Sequence, residues 1–317
     1  MRKFSSRAAV LVMISATGLM LVGCSQIDRL RARQAVKDAN PMYQGGDYAK
    51  AAAKYEEALE MDPTLGDIYF FVGNSYDNLY KSARRGEEAN DAFLTKAIEN
   101  YKKAAEMAQT TPPIKKLSLE YLVAAYGPDK LNDPAQSEPI VMQMIELEPG
   151  EPTNYFALAK IYEDNGDYEK AEATYFKAKE AKPNEPTVYT TLAGFYNRQG
   201  DFEKTISALN ERTAKEPTNP EAHHLAATFY WEKVYRDFRL SDADKRKYVQ
   251  SGLDEETKAI ELKNDYVEAI TYKGLLLRLQ ANLEKDVAKQ QALLREADRL
   301  QAQATDLRKQ KQAGAGD

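Results

Sequence analysis

The sequence predicts an all-α fold, a solenoid in which a two-helix repeat recurs along the chain. Prolines recur every 34 residues, at Pro149, Pro183 and Pro217. A Gly-Asp pair recurs with the same period, at 166–167 and at 200–201. Between these markers the apolar residues recur at the spacing of amphipathic helices. Each repeat is therefore expected to contain two helices separated by a Gly-Asp turn and followed by a proline.

Residues 152–185 show the repeat most completely. Small side chains at Ala159, Ala171 and Ala178 allow its two helices to pack closely, and Pro183 ends the second helix. This pattern resembles the tetratricopeptide repeat (TPR). The resemblance implies a TPR α-solenoid, a right-handed superhelix of helix-turn-helix repeats whose concave face binds proteins.

We expect the TPR solenoid to occupy residues 32–280, in about six or seven repeats. Two repeats are longer than the others, with insertions near residues 80–92 and 235–247. Such insertions form loops or lengthened helices at one edge of a solenoid, and either could dock a partner. Residues 127–139 contain three prolines and are expected to form an irregular turn.

A polar C-terminal helix is expected over residues 281–310. Its apolar residues alternate at spacings of four and three, as in a coiled coil, but the run is short. A capping helix is the favoured interpretation, because the last repeat would otherwise expose its apolar face. Residues 311–317 are rich in Gly and Ala and are expected to form a disordered tail.

The N-terminus has the organisation of a secretion signal. A basic start precedes 16 uncharged residues, 8–23, which is short for a membrane span but suits the apolar core of a signal peptide. The run ends in Leu21-Val22-Gly23-Cys24, which resembles the lipobox of bacterial lipoproteins. The resemblance implies that 1–24 is a signal peptide, that Cys24 is acylated, and that 25–31 form a short linker. An uncleaved N-terminal anchor is the alternative.

The lipobox resemblance also implies a location. A protein acylated at Cys24 is expected to be lipid-anchored in the bacterial cell envelope. Ser25 follows the cysteine, where an Asp is associated with retention in the inner membrane of some bacteria. Ser25 therefore favours the periplasmic face of the outer membrane.

Composition argues against several classes of function. The 44 basic and 49 acidic residues leave a net charge of −5, so nucleic acid is not an expected partner. The only histidines, His223 and His224, are adjacent and would point about 100° apart on a helix, so they cannot share a metal ion. No nucleophile elbow, phosphate-binding loop or zinc-binding helix is present. Residues 254–256 suit a solvated helix face. No catalytic residue, cofactor or metal is predicted, and the chain is not expected to be an enzyme.

The predicted binding surface is the concave face, which the first helix of each repeat lines. Aromatic residues there supply contact area, and polar residues can bond the backbone or carboxylates of a peptide or helix. Trp231, the single tryptophan, is the strongest candidate, and packing beneath the neighbouring insertion is its alternative role. The predicted lining residues are Phe70, Asn74, Asn78, Phe156, Lys160, Thr190, Asn197, Arg198, His224, Thr228 and Trp231.

The sequence thus predicts a scaffold that binds a protein or peptide in its groove and the membrane through the lipid on Cys24. Envelope TPR lipoproteins of this design support assembly of outer-membrane proteins or of pili and secretins. A periplasmic carrier or regulator that binds peptides or glycans is the alternative.

Overall fold

A computed structural model describes the backbone of residues 7–314 and the side chains of residues 26–312. These residues form fourteen α-helices, one short 3-10 helix and no strand. The all-α fold predicted from the sequence is confirmed. The chain divides into two compact units. Unit 1 comprises Met1–Pro149 and Ala157–Ala171, and unit 2 comprises Gly150–Phe156 and Glu172–Asp317.

The helices follow one another through short connections. The first seven are α1 (Arg7–Gln44), α2 (Tyr48–Met61), α3 (Gly66–Leu79), α4 (Glu88–Glu106), α5 (Pro112–Tyr126), α6 (Pro134–Leu147) and α7 (Pro152–Asp164). The other seven are α8 (Tyr168–Ala181), α9 (Pro186–Arg198), α10 (Phe202–Lys215), α11 (Pro220–Arg236), α12 (Asp242–Leu262), α13 (Val267–Leu283) and α14 (Val287–Gly314).

The periodic Gly-Asp pairs form the turns between helices, as predicted. Gly166 and Gly200 have φ angles of 77° and 75°, in the left-handed region that favours glycine. Asp201 then caps α10, because its Oδ1 accepts the Lys204 N–H at 3.0 Å. The glycine therefore ends one helix, and the aspartate satisfies a backbone donor at the start of the next.

Residues 25–31 are not a linker, because they lie within helix α1. The segment has no Pro or Gly to end the helix, and α1 continues into residues that pack against α2. Ala32 and Ala35 are buried against Ala58 of α2. Cys24 lies outside the residues whose side chains are described. Over the described part of the chain, no helix has the length and apolar character needed to span a membrane.

The predicted irregular turn over 127–139 is shorter than expected, because α6 begins at Pro134. Proline is tolerated in the first helical turn, where its missing N–H would have no partner within the helix. Asp133 caps this helix by accepting the Gln136 N–H. The irregular segment is therefore confined to residues 127–133.

Both insertions mainly lengthen helices. Helices α4, α11 and α12, next to the insertions, are 19, 17 and 21 residues long. Helices α9 and α10, in a repeat without an insertion, are 13 and 14 residues long. What remains irregular is the segment between α3 and α4, which contains the 3-10 helix Ser82–Arg84, and the segment 237–241 between α11 and α12.

The C-terminal helix packs along α13, as a capping helix must. Ala297, Leu300 and Ala304 of α14 are buried. The helix continues to Gly314, so residues 311–314 are not the disordered tail predicted from composition. Lys311 Nζ lies 3.2 Å from Asp265 Oδ2, an ion pair that holds the last turns of α14. Residues 315–317 lie outside the described part of the chain.

Candidate functional site

In unit 1 the structure corrects two predicted groove residues on α3. Phe70 is only 6% exposed, with the Tyr101 and Tyr121 rings at centroid distances of 5.7 and 5.4 Å. Asn74 is 4% exposed, and its Oδ1 accepts the Tyr43 hydroxyl at 2.6 Å. Both predictions fail because a side chain from another helix covers the residue: Tyr121 of α5 packs on Phe70, and Tyr43 of α1 bonds Asn74.

The other two predicted residues in unit 1 are exposed. Asn78 donates to the carbonyl and side-chain oxygens of Asn74, at 2.8 and 3.0 Å. Lys160 pairs with Asp164 one helical turn away. It also lines an open pocket of about 460 Å³ together with Tyr126 and Ile161. Of the four predicted residues in unit 1, Lys160 alone lines this pocket.

A buried polar network in unit 1 was missed from the sequence. Asp77 of α3 is paired with Lys130 of the irregular segment, and their side chains are 8% and 20% exposed. The Tyr101 hydroxyl donates to Asp77 Oδ2 at 3.4 Å and accepts a hydrogen bond from Asn74. Burial raises the pKa of Tyr101, so its hydroxyl keeps its proton and remains a donor. The network ties the irregular segment to α3.

In unit 2 the predicted residues on α7 and α9 form no shared cluster. Phe156 is half-buried, with its ring centroid 6.2 Å from that of Tyr175. Thr190 donates to the backbone carbonyl of Pro186 at 3.3 Å. Asn197 and Arg198 are exposed in the last turn of α9.

The three predicted residues of α11 lie along one face of that helix and are partly exposed. His224 and Trp231 both contact Tyr272 of α13, each with ring centroids 5.3 Å apart. Trp231 also stacks on Tyr235, 4.8 Å away and nearly parallel. Thr228 donates to the Leu225 carbonyl between them. We call His224, Trp231, Tyr235 and Tyr272 the aromatic cluster.

Glu256 lies beneath this cluster and was wrongly predicted to be solvated. Its side chain is fully buried, and His224 Nδ1 lies 2.9 Å from Oε1. The other oxygen, Oε2, has no hydrogen-bond partner within the structure. Burial raises the pKa of Glu256 to about 7, against a smaller opposing effect of the bond to His224. The cluster thus rests on a carboxyl group that titrates near neutral pH.

The repeat register could have revealed this burial. Ala259 of α12 occupies the position that Ala178 holds in its repeat, so Glu256 occupies the position of Tyr175. Tyr175 is buried, as are the residues at that position in three other repeats: Tyr55, Tyr101 and Leu209. Glu256 is therefore a carboxyl group at a position otherwise filled by an apolar side chain.

His223 has a structural role that separates it from His224. Its Nε2 lies 3.2 Å from the Pro217 carbonyl oxygen, six residues earlier. Tyr189, at the same repeat position, donates to Pro183 O at 2.6 Å. The other His223 nitrogen, Nδ1, lies 2.6 Å from Glu255. Within the described residues there is no group of three or more His, Cys, Asp or Glu side chains placed to hold a metal ion.

The fold and the recurrent turns define a protein of stacked helix hairpins of the TPR class. Residues 130–195 match the family model described as tetratricopeptide repeat. The chain therefore has an all-α TPR fold, which suits protein–protein interaction scaffolds. No curated protein matches the chain in sequence.

One solved structure supports this fold, and two others share a weaker similarity. The chain is similar to the C-terminal part of a TPR repeat-containing protein from Cytophaga hutchinsonii, with 13% identity and a TM-score of 0.54, over 86% of this chain and 98% of the other. It is also similar to YrrB, described as a TPR protein with an unusual peptide-binding site, with 18% identity and a TM-score of 0.40 over 60% and 89% of the two chains. The chain is similar to MamA as well, with 17% identity and a TM-score of 0.44, over 66% of this chain and 97% of the other.

Proposed function

We propose that this protein is a non-enzymatic scaffold, anchored by a lipid on Cys24 in the bacterial cell envelope, that binds a protein partner through the aromatic cluster. The partner belongs to an envelope complex, such as one that assembles outer-membrane proteins or a pilus or secretin. The observation that carries the proposal is the partly exposed line of His224, Trp231 and Tyr235 on α11, continued by Tyr272 on α13.

The chemistry of the aromatic cluster suits a protein partner. Tryptophan and tyrosine bury a large area on binding and lose little side-chain entropy, since each has only two side-chain torsions. The stack of Trp231 on Tyr235 and the edge contact with Tyr272 already restrict the indole. A partner therefore meets a pre-organised surface, which lowers the entropic cost of binding.

Trp231→Ala is expected to weaken partner binding by about tenfold or more, because a central tryptophan is a frequent hot spot of an interface. A photoreactive amino acid at Thr228, between His224 and Trp231, would capture the partner in cells. We expect the crosslinked species to disappear in the Trp231→Ala background.

The matched control is Tyr168→Ala, which removes an aromatic residue that is 48% exposed on α8. This change should leave the crosslink intact. If Trp231→Ala keeps full crosslinking, the aromatic cluster is not the binding surface. If the protein purifies without a partner and binds short peptides at the cluster, the carrier alternative holds instead.

The lipid anchor has its own test. Cys24 is the only cysteine, so Cys24→Ser removes the single acceptor of a thioether-linked lipid. We expect this variant to lose incorporation of labelled palmitate and to shift from the membrane fraction towards the soluble fraction. Cys24→Ala should behave in the same way, whereas Ser25→Ala should retain the label. Labelling that persists without Cys24 would contradict the anchor.

A further inference from the structure

The segment that links α11 to α12 forms one wall of a pocket in unit 2. Helix α11 is four residues longer than α9, about 6 Å at the rise of an α-helix, and so extends past the turn at Gly200. The space left there is an open pocket of about 560 Å³. Phe202 and Phe229 line it on the helices, and Phe238 lines it on the segment 237–241.

The pocket presents apolar surface to solvent. Phe238 is 87% exposed, the largest exposed fraction among the exposed large apolar side chains of the described residues. Phe202 and Phe229 are half-buried, and the Lys233 ammonium lies 5.2 Å from the centre of the Phe202 ring. Burying a side chain such as Phe238 removes unfavourable contact with water, so the pocket favours an apolar group that fills it.

The rim of the pocket is basic in a chain that is acidic. Lys233, Arg236 and Arg239 face Glu232 and Asp237, a local excess of one positive charge against a net charge of −5 for the chain. The two arginines pair with carboxylates through Nε, at 3.1 Å for Arg236 and 3.3 Å for Arg239. Their side chains are 75% and 92% exposed. Guanidinium groups placed in this way can take a further carboxylate.

We propose that this pocket binds an acidic segment of a partner protein, whose apolar side chain packs against Phe202 and Phe238 and whose carboxylates bond Arg236 and Arg239. The proposal rests on the scaffold function and adds a second contact surface to it. Phe229, Lys233 and Arg236 lie on the side of α11 roughly opposite to Trp231 and Tyr235, by the 3.6-residue period of the helix. The pocket and the aromatic cluster can therefore be tested separately.

A peptide fits this pocket better than a membrane surface does. A bilayer surface cannot fill a concave site, whereas a side chain can. A continuous anionic surface would have to approach the carboxylates of Glu232 and Asp237 together with the arginines, whereas a peptide can place its carboxylates on the arginines alone. Lys233 and Arg239 hold the pKa of Asp237 down at about 2, so this carboxylate stays charged at neutral pH.

The test measures fluorescence anisotropy of two labelled peptides with the full chain in detergent. One peptide alternates Glu with Leu and Phe, and the other has Lys in place of each Glu. We expect the acidic peptide to bind and the basic peptide not to bind. Phe238→Ala and the double variant Arg236→Glu, Arg239→Glu should each weaken it by about tenfold or more.

Arg84→Glu is the matched control. Arg84 is 62% exposed and, like Arg236, pairs with a glutamate near it in the sequence, Glu87. The control makes the same change of charge as one arginine substitution, far from the pocket in sequence, and should leave binding unchanged. Equal binding of both peptides, equal weakening by Arg84→Glu, or no binding at all would overturn the proposal.

The remaining outcomes separate this proposal from the scaffold function. Peptide binding that Trp231→Ala abolishes and Phe238→Ala leaves intact supports the aromatic cluster and overturns the pocket. Binding that only the pocket variants abolish supports the pocket, whatever the crosslinking at Thr228 shows. Binding to a membrane can be tested with an environment-sensitive dye attached to Phe238→Cys in the Cys24→Ser chain. A blue shift of the dye's emission on adding phosphatidylglycerol vesicles would show that the segment enters a membrane, and it would overturn the proposal. If sedimentation shows a dimer that Arg239→Glu dissociates, the pocket binds a second copy of this chain and the proposal is overturned.

Discussion

Gly73→Ala is expected to destabilise unit 1 by about 2 kcal/mol, although alanine is the better helix former. Gly73 lies inside α3, and a Cβ atom there would meet the Tyr101 ring at 2.8 Å and the Ala97 carbonyl oxygen at 3.0 Å. Tyr101 is fully buried, so its ring has no space into which it can move. Helices α3 and α4 must separate, and the loss of packing exceeds the gain in helix propensity.

Hydrogen exchange is the measurement for Gly73→Ala, because helix-repeat proteins can unfold in parts. Amides of α3 and α4 should exchange faster in the variant, while those of α9 and α10 keep their protection. Gly194→Ala is the control, since a Cβ there meets only the Arg198 side chain, at 3.4 Å. It should stabilise α9 by up to about 1 kcal/mol. Unchanged protection of α3 in Gly73→Ala would contradict the packing argument.

The parts of the fold that follow from local chemistry could be predicted from the sequence. Gly200, which has a positive φ, and Asp201, which caps the next helix, could both be predicted, since each acts on its immediate neighbours in the sequence. The small residue at Gly73 also follows from the repeat register, because Gly73 holds the position that Ala159 holds in residues 152–185.

The failures at the candidate site have a common physical cause. Phe70 was assigned to the groove from its position within one repeat, but Tyr121, two helices further on, covers it. Asn74 is likewise covered by a distant residue, because its side chain accepts a hydrogen bond from Tyr43, which lies 31 residues earlier in the sequence. Periodicity predicts which face a residue occupies on its own helix, and it does not predict which side chain from another helix covers that face. In unit 2 the predicted α11 residues are partly exposed, and Tyr272 contacts two of them, His224 and Trp231. That they line a binding groove stays a prediction.

Glu256 shows the opposite failure, in which composition overrode the repeat register. An acidic run suggested a solvated face, while the register placed Glu256 at a buried position. A carboxyl group at that position costs folding free energy whenever it is ionised, because Oε2 has no hydrogen-bond partner. Retaining it beneath His224 links the stability of the α11–α13 region to pH.

Glu256→Gln is expected to remove this pH dependence. The folded pKa of about 7 lies above the ordinary value of 4.5, so the folded state holds the proton more tightly than the unfolded state. The contribution of Glu256 to stability is therefore fully present below about pH 4.5 and is lost as the pH rises through about 7. Glutamine is neutral throughout, and its carbonyl oxygen can still accept a hydrogen bond from His224 Nδ1. Between pH 5 and 8, the wild type should lose about 2 kcal/mol more stability than the variant.

Fluorescence of Trp231, the single tryptophan, reports on unfolding of this region during urea titrations at pH 5 and pH 8. Because other groups also titrate over this range, the informative quantity is the difference between wild type and Glu256→Gln at each pH. That difference should be small at pH 5 and should favour the variant at pH 8. Glu261→Gln, an exposed carboxyl on the same helix, is the control and should show the same pH dependence as the wild type. If the wild type and Glu256→Gln lose equal stability between pH 5 and pH 8, Glu256 does not titrate as a buried acid. The pH dependence of stability in this region would then come from other groups.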